Sequence, residues 1–409
     1  MFNVDAVRRQ FPALQRGAVY FDGPAGSQVP QRVVDAISRY LVDLNANHGG
    51  VFATARASDA LLHEAHAAVA DLLGTTDPGC VAFGANMTTL TFAVSRALAR
   101  TWQPGDEVVV TRLDHDGNVA PWTLAARDAG AVVRTVGFRR EDGTLDLADF
   151  QRQLSPKTRL VAVGCASNAL GTINPVRQLV EMAHAVGAQV FLDAVHYAPH
   201  ALIDVAAWDC DFLACSAYKF FGPHVGILYG KRPLLESLPA YKVRPAANSI
   251  PDRWMTGTQS HEGIAGTLAA VEYLADLGRS VAPTAGTRRE AIRAAFGAIV
   301  PYEQSLSRRM LAGLAELPDV KVHGSTDHTR LDARVPTFAI THARRSPQQV
   351  AEHLDRHGIY VWHGNFYALC TSEDLGLEPT GMVRIGALHY NTASEVDRLL
   401  AALRELSAS

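Results

Sequence analysis

Three polar residues stand where apolar runs end, and each could do chemistry there. Lys219 follows the run "FLACSA", lies between Tyr218 and Phe220, and precedes Gly222-Pro223. A lysine so placed is partly buried, and burial lowers an amine's pKa until it can serve as nucleophile or base. The same local context also fits a surface lysine at a strand end. Asp193 closes the run "AQVFLD". A carboxylate at the mouth of a parallel sheet can pair with a cationic ring nitrogen; it can equally cap a helix or turn. His115, in "TRLDHDGN", follows a third strand-like run. A fourth stretch, "GIYVWHGNFYALC" from Gly358 to Cys370, crowds aromatics, a histidine and an asparagine together, with a cysteine at its end. That mixture is odd for a core strand and reads as a loop that faces something. It raises the question of whether Cys370 is a catalytic thiol.

Residues at strand ends need elements to bring those ends together. "DEVVVT" (Asp106–Thr111), "AVVRTV" (Ala131–Val136), "RLVAVG" (Arg159–Gly164), "AQVFLD" (Ala188–Asp193), "CDFLAC" (Cys210–Cys215) and "VGILYG" (Val225–Gly230) read as buried strands. Helical patterns at Pro121–Asp128 and Pro175–Val186 separate some of them. Continuous apolar strands alternating with helices imply an α/β fold with a mostly parallel sheet covered on both faces. In such sheets functional residues gather at the carboxyl ends of the strands. From about Ala285 to Leu317 the composition suggests a long helix. After it come "VKVHG", "VPTFAI" and "MVRIGA", with a helix near Pro347–His357, which together suggest a smaller α+β unit. The expected division is an arm at 1–22 contributing to the small domain, a large domain at 23–284 and the small domain at 285–409.

Bulk properties exclude several classes. At 409 residues the chain exceeds the usual single core, so two domains are expected. A hydrophobic share of 48% and a charged share of 19% are ordinary for a folded α/β protein and argue against disorder. A net charge of −3 implies no basic surface for nucleic acid. No apolar run is long enough for a membrane span. The opening "MFNVDAVRRQFPAL" lacks the apolar core of a signal peptide, so the expected location is cytoplasmic. Cys80, Cys165, Cys210, Cys215 and Cys370 are scattered, make a poor disulfide framework and contain no Cys-x-x-Cys pair. No metal site is expected. Cys165 and Cys215 read as small core residues.

The order strand–Asp193, then strand–Ser216-x-x-Lys219, then a glycine turn and another strand resembles the class V branch of the fold-type I pyridoxal-phosphate (PLP) enzymes. Within that branch it is most similar to the Suf-type cysteine desulfurases. Further segments carry the likeness: "YFDGPAGSQVP", "AFGANMTTLTFAVSRAL", "LDHDGNVAPW", "CASNALGTINPV", "MTGTQS" and "VRIGALHYNT". The resemblance implies a large domain with a mainly parallel seven-stranded sheet and a smaller α+β domain. It also implies roles. Lys219 would hold PLP and shuttle the substrate's Cα proton. Asp193 would keep the pyridine nitrogen protonated, so that the ring draws electrons. His115 would stack on the ring and serve as acid or base. Asn168 and His196 would bond the phenolic oxygen side, with His196 standing where desulfurases carry Gln. The phosphate would take backbone N–H groups of Asn86 and Met87 at a helix start. Ser216 and Tyr218 would join them, Tyr218 in place of a family His. Thr258 would reach the phosphate of a neighbouring subunit, which implies a homodimer with shared sites. Arg384 would grip the carboxylate of an amino-acid substrate.

The pattern breaks at the thiol. Suf-type desulfurases carry Arg-x-Gly-His-His-Cys where this chain has Trp362, His363, Gly364, Asn365, Phe366 and Tyr367. Tyr367 occupies the cysteine position, and a phenol cannot relay sulfur as a persulfide. Cys370 could substitute only if the loop were re-routed. In "NANHGGVFAT", Gly49 replaces a family arginine and Phe52 a histidine. The pocket is therefore expected to be aromatic, with Phe52, Trp362, Asn365, Phe366 and Tyr367 meeting a substrate side chain larger or more apolar than that of cysteine. The expected activity is Cα deprotonation followed by C–S elimination without a persulfide relay. The alternatives are an aminotransferase, an amino-acid epimerase, or a PLP-binding protein without turnover.

Overall fold

The computed structural model describes residues 2–408. A short strand, β1 (Val19–Tyr20), precedes a seven-stranded sheet. Its strands are β2 (Val81–Gly84), β3 (Glu107–Thr111), β4 (Val132–Val136), β5 (Thr158–Gly164), β6 (Gln189–Asp193), β7 (Phe212–Ser216) and β8 (Gly226–Gly230). The spatial order is β2-β8-β7-β6-β5-β3-β4. β8 runs antiparallel to both neighbours, and the pairings from β7 to β4 are parallel. Every residue of β3, β7 and β8 is buried, as helices on both faces require. Six of these strands coincide with the apolar runs of the sequence. The seventh, β2, is a four-residue edge strand within the stretch that resembles a phosphate loop.

The C-terminal part forms a four-stranded antiparallel sheet. Its strands are β9 (Val320–His323), β10 (Thr337–His342), β12 (Trp362–Gly364) and β13 (Met382–Gly386), in the order β12-β13-β10-β9. β11 (Ile359–Tyr360) pairs instead with β1. The apolar side chains separate into two clusters. Val7, Phe11 and Leu14 join the larger one around the seven-stranded sheet, whereas Val19 and Phe21 join the smaller.

One helix, Arg288–Ala315, crosses from one cluster to the other. It opens on a capping box in which Thr287 and Glu290 satisfy each other's backbone amides. Ala291, Ile292, Ala295, Phe296 and Ile299 pack in the larger core; Leu306, Met310, Leu311 and Leu314 pack in the smaller. Pro301 lies between the two groups, inside the helix. Two residues on, the buried Glu303 meets His200 of the large unit, Oε2 to Nδ1, at 2.8 Å. Among the described residues no helix is long and apolar enough to cross a membrane.

Candidate active site

A cavity of about 500 Å³ opens where the carboxyl ends of the parallel strands meet the small sheet. β6 delivers Asp193 to its wall, and the turn after β7 delivers Ser216, Tyr218 and Lys219. The helix Met87–Ala99 points its first turn at the same space through Asn86, Met87 and Thr88. Asn86 caps that helix, its side chain accepting from Thr89 N at 2.9 Å. Ser216 Oγ accepts from Met87 N at 3.1 Å. Gly226 makes this approach possible: a Cβ there would stand 2.4 Å from the Asn86 carbonyl carbon.

Lys219 Nζ donates to the carbonyls of Pro24 and Ala25, at 2.5 and 3.0 Å. Burial, with the Arg384 guanidinium nearby, brings its pKa down to about 7. Asp193 Oδ1 accepts from Val195 N at 2.8 Å. Burial, reinforced by the neighbouring Asp114 carboxylate, pushes its pKa up to about 7. Asp114 also lines the cavity. It is held by Thr111 Oγ1 and, at 3.1 Å, by Asn118 Nδ2, and burial raises its pKa to about 6. His115 Nδ1 accepts from Gly117 N at 2.9 Å, which leaves the ring proton on Nε2. Burial brings its pKa down to about 4, so the ring is neutral near pH 7.

Arg384, on β13, is buried. Its guanidinium donates to the Asn168 carbonyl at 3.0 Å, while Nε has no partner. The Phe366 ring covers it, with Cζ 4.2 Å from the centroid. Asn168 Nδ2 donates to the Phe366 carbonyl at 2.9 Å, which leaves Oδ1 buried and unpaired. The donor expected to face the phenolic oxygen is thus tied to the aromatic loop. His196 faces the cavity and bonds Thr337 Oγ1 through Nε2 at 3.0 Å. Burial, with His200 and cationic neighbours, lowers its pKa.

The loop after β12 is pinned through its backbone. Phe366 and Tyr367 have φ of +58° and +57°, a left-handed geometry that costs each on the order of 1 kcal/mol. Asp116 N donates to the Tyr367 carbonyl at 2.6 Å, and Ala368 N to the Asn365 carbonyl at 2.8 Å. Asn365 bonds Glu378 Oε1 at 3.1 Å and accepts from Tyr367 N at 3.1 Å, so its amide holds the turn. Tyr367 is 73% exposed at the mouth, its ring 5.5 Å from that of His115. Trp362 is 52% exposed and pairs directly across from Arg384.

Fourteen residues read from the sequence as site residues line this cavity: Asn86, Met87, His115, Asn168, Asp193, His196, Ser216, Tyr218, Lys219, Trp362, Asn365, Phe366, Tyr367 and Arg384. Thr258 and Phe52 do not; both are exposed elsewhere on the chain. Cys370 is not on the lining either, and burial raises its thiol pKa. Sequence reasoning missed Thr88 and Asp114. The spacing Thr111, Asp114, Asn118, Trp122 carried a signal for the second: Trp122 Nε1 donates to Asn118 Oδ1 at 3.0 Å, and Asn118 holds Asp114. It missed Asp22 too, a carboxylate beside Lys219 and Arg384 whose Oδ1 is buried and unpaired. Away from the cavity, His353, His357 and Glu405 form a surface group of possible metal ligands.

These residues fit PLP. A buried lysine of lowered pKa, a carboxylate for a ring nitrogen, a neutral histidine ring and a helix start with a hydroxyl for a phosphate share one cavity. The unpaired Arg384 Nε and Asn168 Oδ1 are polar atoms still lacking partners. Fold and site together define a fold-type I PLP-dependent enzyme. The chain belongs to the class-V aminotransferase family, whose profile matches residues 19–399, and members of this family use PLP. It is 31% identical to a cysteine desulfurase of Dickeya dadantii, over 99% of this chain and 97% of that one. It is 32% identical to the aminotransferase-like protein FGM3 of Gibberella zeae, over 98% of each. The apo structure of a cysteine desulfurase from Thermococcus onnurineus NA1 superposes with a TM-score of 0.87 at 27% identity, covering 99% of this chain and 98% of that one.

Proposed function

We propose that this enzyme removes the Cα proton of an amino acid and then breaks a C–S bond, releasing a thiol without a persulfide relay. One observation carries the reading. The loop position at the cavity mouth is Tyr367, while the nearby thiol of Cys370 lies off the lining with a raised pKa. A raised pKa is the opposite of an activated nucleophile.

Arg384, desolvated and with Nε free, takes the substrate carboxylate. Lys219, with its pKa near 7, is present partly as free amine at neutral pH and takes the Cα proton. Bound PLP supplies the electron sink that makes this proton acidic. Asp193 holds the proton of the ring nitrogen, and the neutral His115 presents a flat face to the ring. The helix start at Asn86, Met87 and Thr88, with Ser216 and Tyr218, would receive the phosphate, the Met87 amide exchanging its bond to Ser216 Oγ for one to the anion. The C–S bond then breaks, the sulfur leaves with the bonding electrons and takes up a proton, and the 2-aminoacrylate left behind is hydrolysed by one water to pyruvate and ammonia. The same reading has the protein as a homodimer, in which Phe52 and Thr258 enter the partner's cavity, and moves the expected boundary between 23–284 and 285–409 toward Pro301, because Ala291 to Ile299 pack in the larger core. A cytoplasmic location belongs to it as well.

The test supplies L-cysteine and S-substituted L-cysteines to the PLP-loaded protein. Thiol or sulfide, pyruvate and ammonia in equal amounts are expected. The likeness to FGM3 favours an aminotransferase as the second reading. That reading predicts a keto acid retaining the whole side chain and no ammonia. Conversion of an L- to a D-amino acid would instead mark an epimerase.

A further inference from the structure

A second cavity, of about 440 Å³, adjoins the first. The two share Ala25, Tyr218 and Trp362. One wall of the annex is apolar: Val29, Val33, Val34 and Ile37. Its ionisable groups are Asp22, His224 and the shared Tyr218, and Asp22 keeps one buried carboxylate oxygen without a partner. The His224 ring stacks on Tyr218 at 4.9 Å and 16°. Asp22 lies within the field of Lys219 and Arg384. The path into the annex follows from strand register. Trp362 pairs directly across from Arg384 between β12 and β13, and directly opposed residues of antiparallel strands project from one face. A carboxylate anchored at Arg384 therefore stands beside Trp362, one of the three residues common to both cavities. The first cavity must hold the cofactor and the amino-acid backbone, so a long substituent finds its room past Trp362.

We infer that the annex is the subsite for the substrate's outer substituent, and that the substrates are amino acids whose sulfur or distal carbon carries an extended apolar group. This rests on the proposed amino-acid chemistry but not on C–S cleavage. Burying one methylene is worth about fourfold in affinity. Each one added to the side chain should therefore tighten binding by about that factor until the annex is full.

The experiment uses the PLP-loaded protein and two ligand series. Calorimetric titration with straight-chain amino acids from L-2-aminobutyrate to L-2-aminooctanoate reads affinity without a sulfur leaving group. kcat/KM for S-methyl-, S-butyl- and S-benzyl-L-cysteine reads turnover. Both should improve with length. Val29→Trp fills the annex and should abolish that gain while leaving the shortest member of each series within about twofold. Val34→Trp, nearer solvent, provides the same reading if Val29→Trp does not fold. Affinity that ignores chain length, or a length dependence untouched by a folded tryptophan variant, overturns the annex. Length-dependent affinity without any thiol release leaves the annex standing and overturns the lyase reading alone.

Discussion

Lys219 and Asp193 are shifted toward each other's range by the same cause, the cost of holding charge in a closed cavity. For Lys219 the sign is direct. Below about pH 7 the amine is protonated and cannot attack; above it the free amine dominates. Covalent attachment of PLP to the apo protein should thus accelerate through about pH 7 and then level off, followed as absorbance after rapid mixing. A rate that keeps rising toward the ordinary lysine range would falsify the shift. Arg384→Ala should lower kcat/KM about ten- to a hundredfold, the worth of charge-assisted hydrogen bonds to a carboxylate, and mainly through KM. Unchanged KM would mean that the carboxylate binds elsewhere. Lys219 and Asp193 were legible as candidates because each stands at the end of an apolar run, whereas Arg384, inside β13, was legible only through the resemblance carried by "VRIGALHYNT". Asp22 was not. Its neighbours Lys219 and Arg384 lie far along the chain, and no local pattern brings them together.

At the scale of elements, strands and long helices could be read because burial on both faces forces apolar runs, and a crossing helix forces a long periodic one. β2 escaped because a four-residue edge strand beside a glycine looks like a loop. The aromatic loop was legible in composition but not in orientation. Phe366 turned out to lie over Arg384, and Asn365 to hold its own turn, because left-handed backbone at two successive residues redirects the side chains. The long helix offers a test of how the two units are tied. His200 and Glu303 are both buried, and removing one partner strands the other. Glu303→Ala should cost about 3 kcal/mol or more in urea unfolding. A loss below about 1 kcal/mol would mean that the contact is incidental.

For the molecule as a whole, the exposed apolar surface is informative. Val51 is 89% exposed and Phe52 57%, and Val42, Tyr241 and Val243 are exposed as well. The proposed dimer would cover such residues and carry Phe52 and Thr258 to the partner's cavity. Val51→Asp should then shift the protein to monomers in sedimentation velocity and suppress turnover. A dimer that survives with full activity would remove Phe52 and Thr258 from the site. Pro301 has a different consequence. Proline has no amide hydrogen, so the Gly297 carbonyl loses its helical donor midway between the two cores. The helix that runs from one core to the other therefore lacks one backbone bond at its middle, and two residues beyond it the buried His200–Glu303 contact clamps the helix to the large unit where that bond is missing.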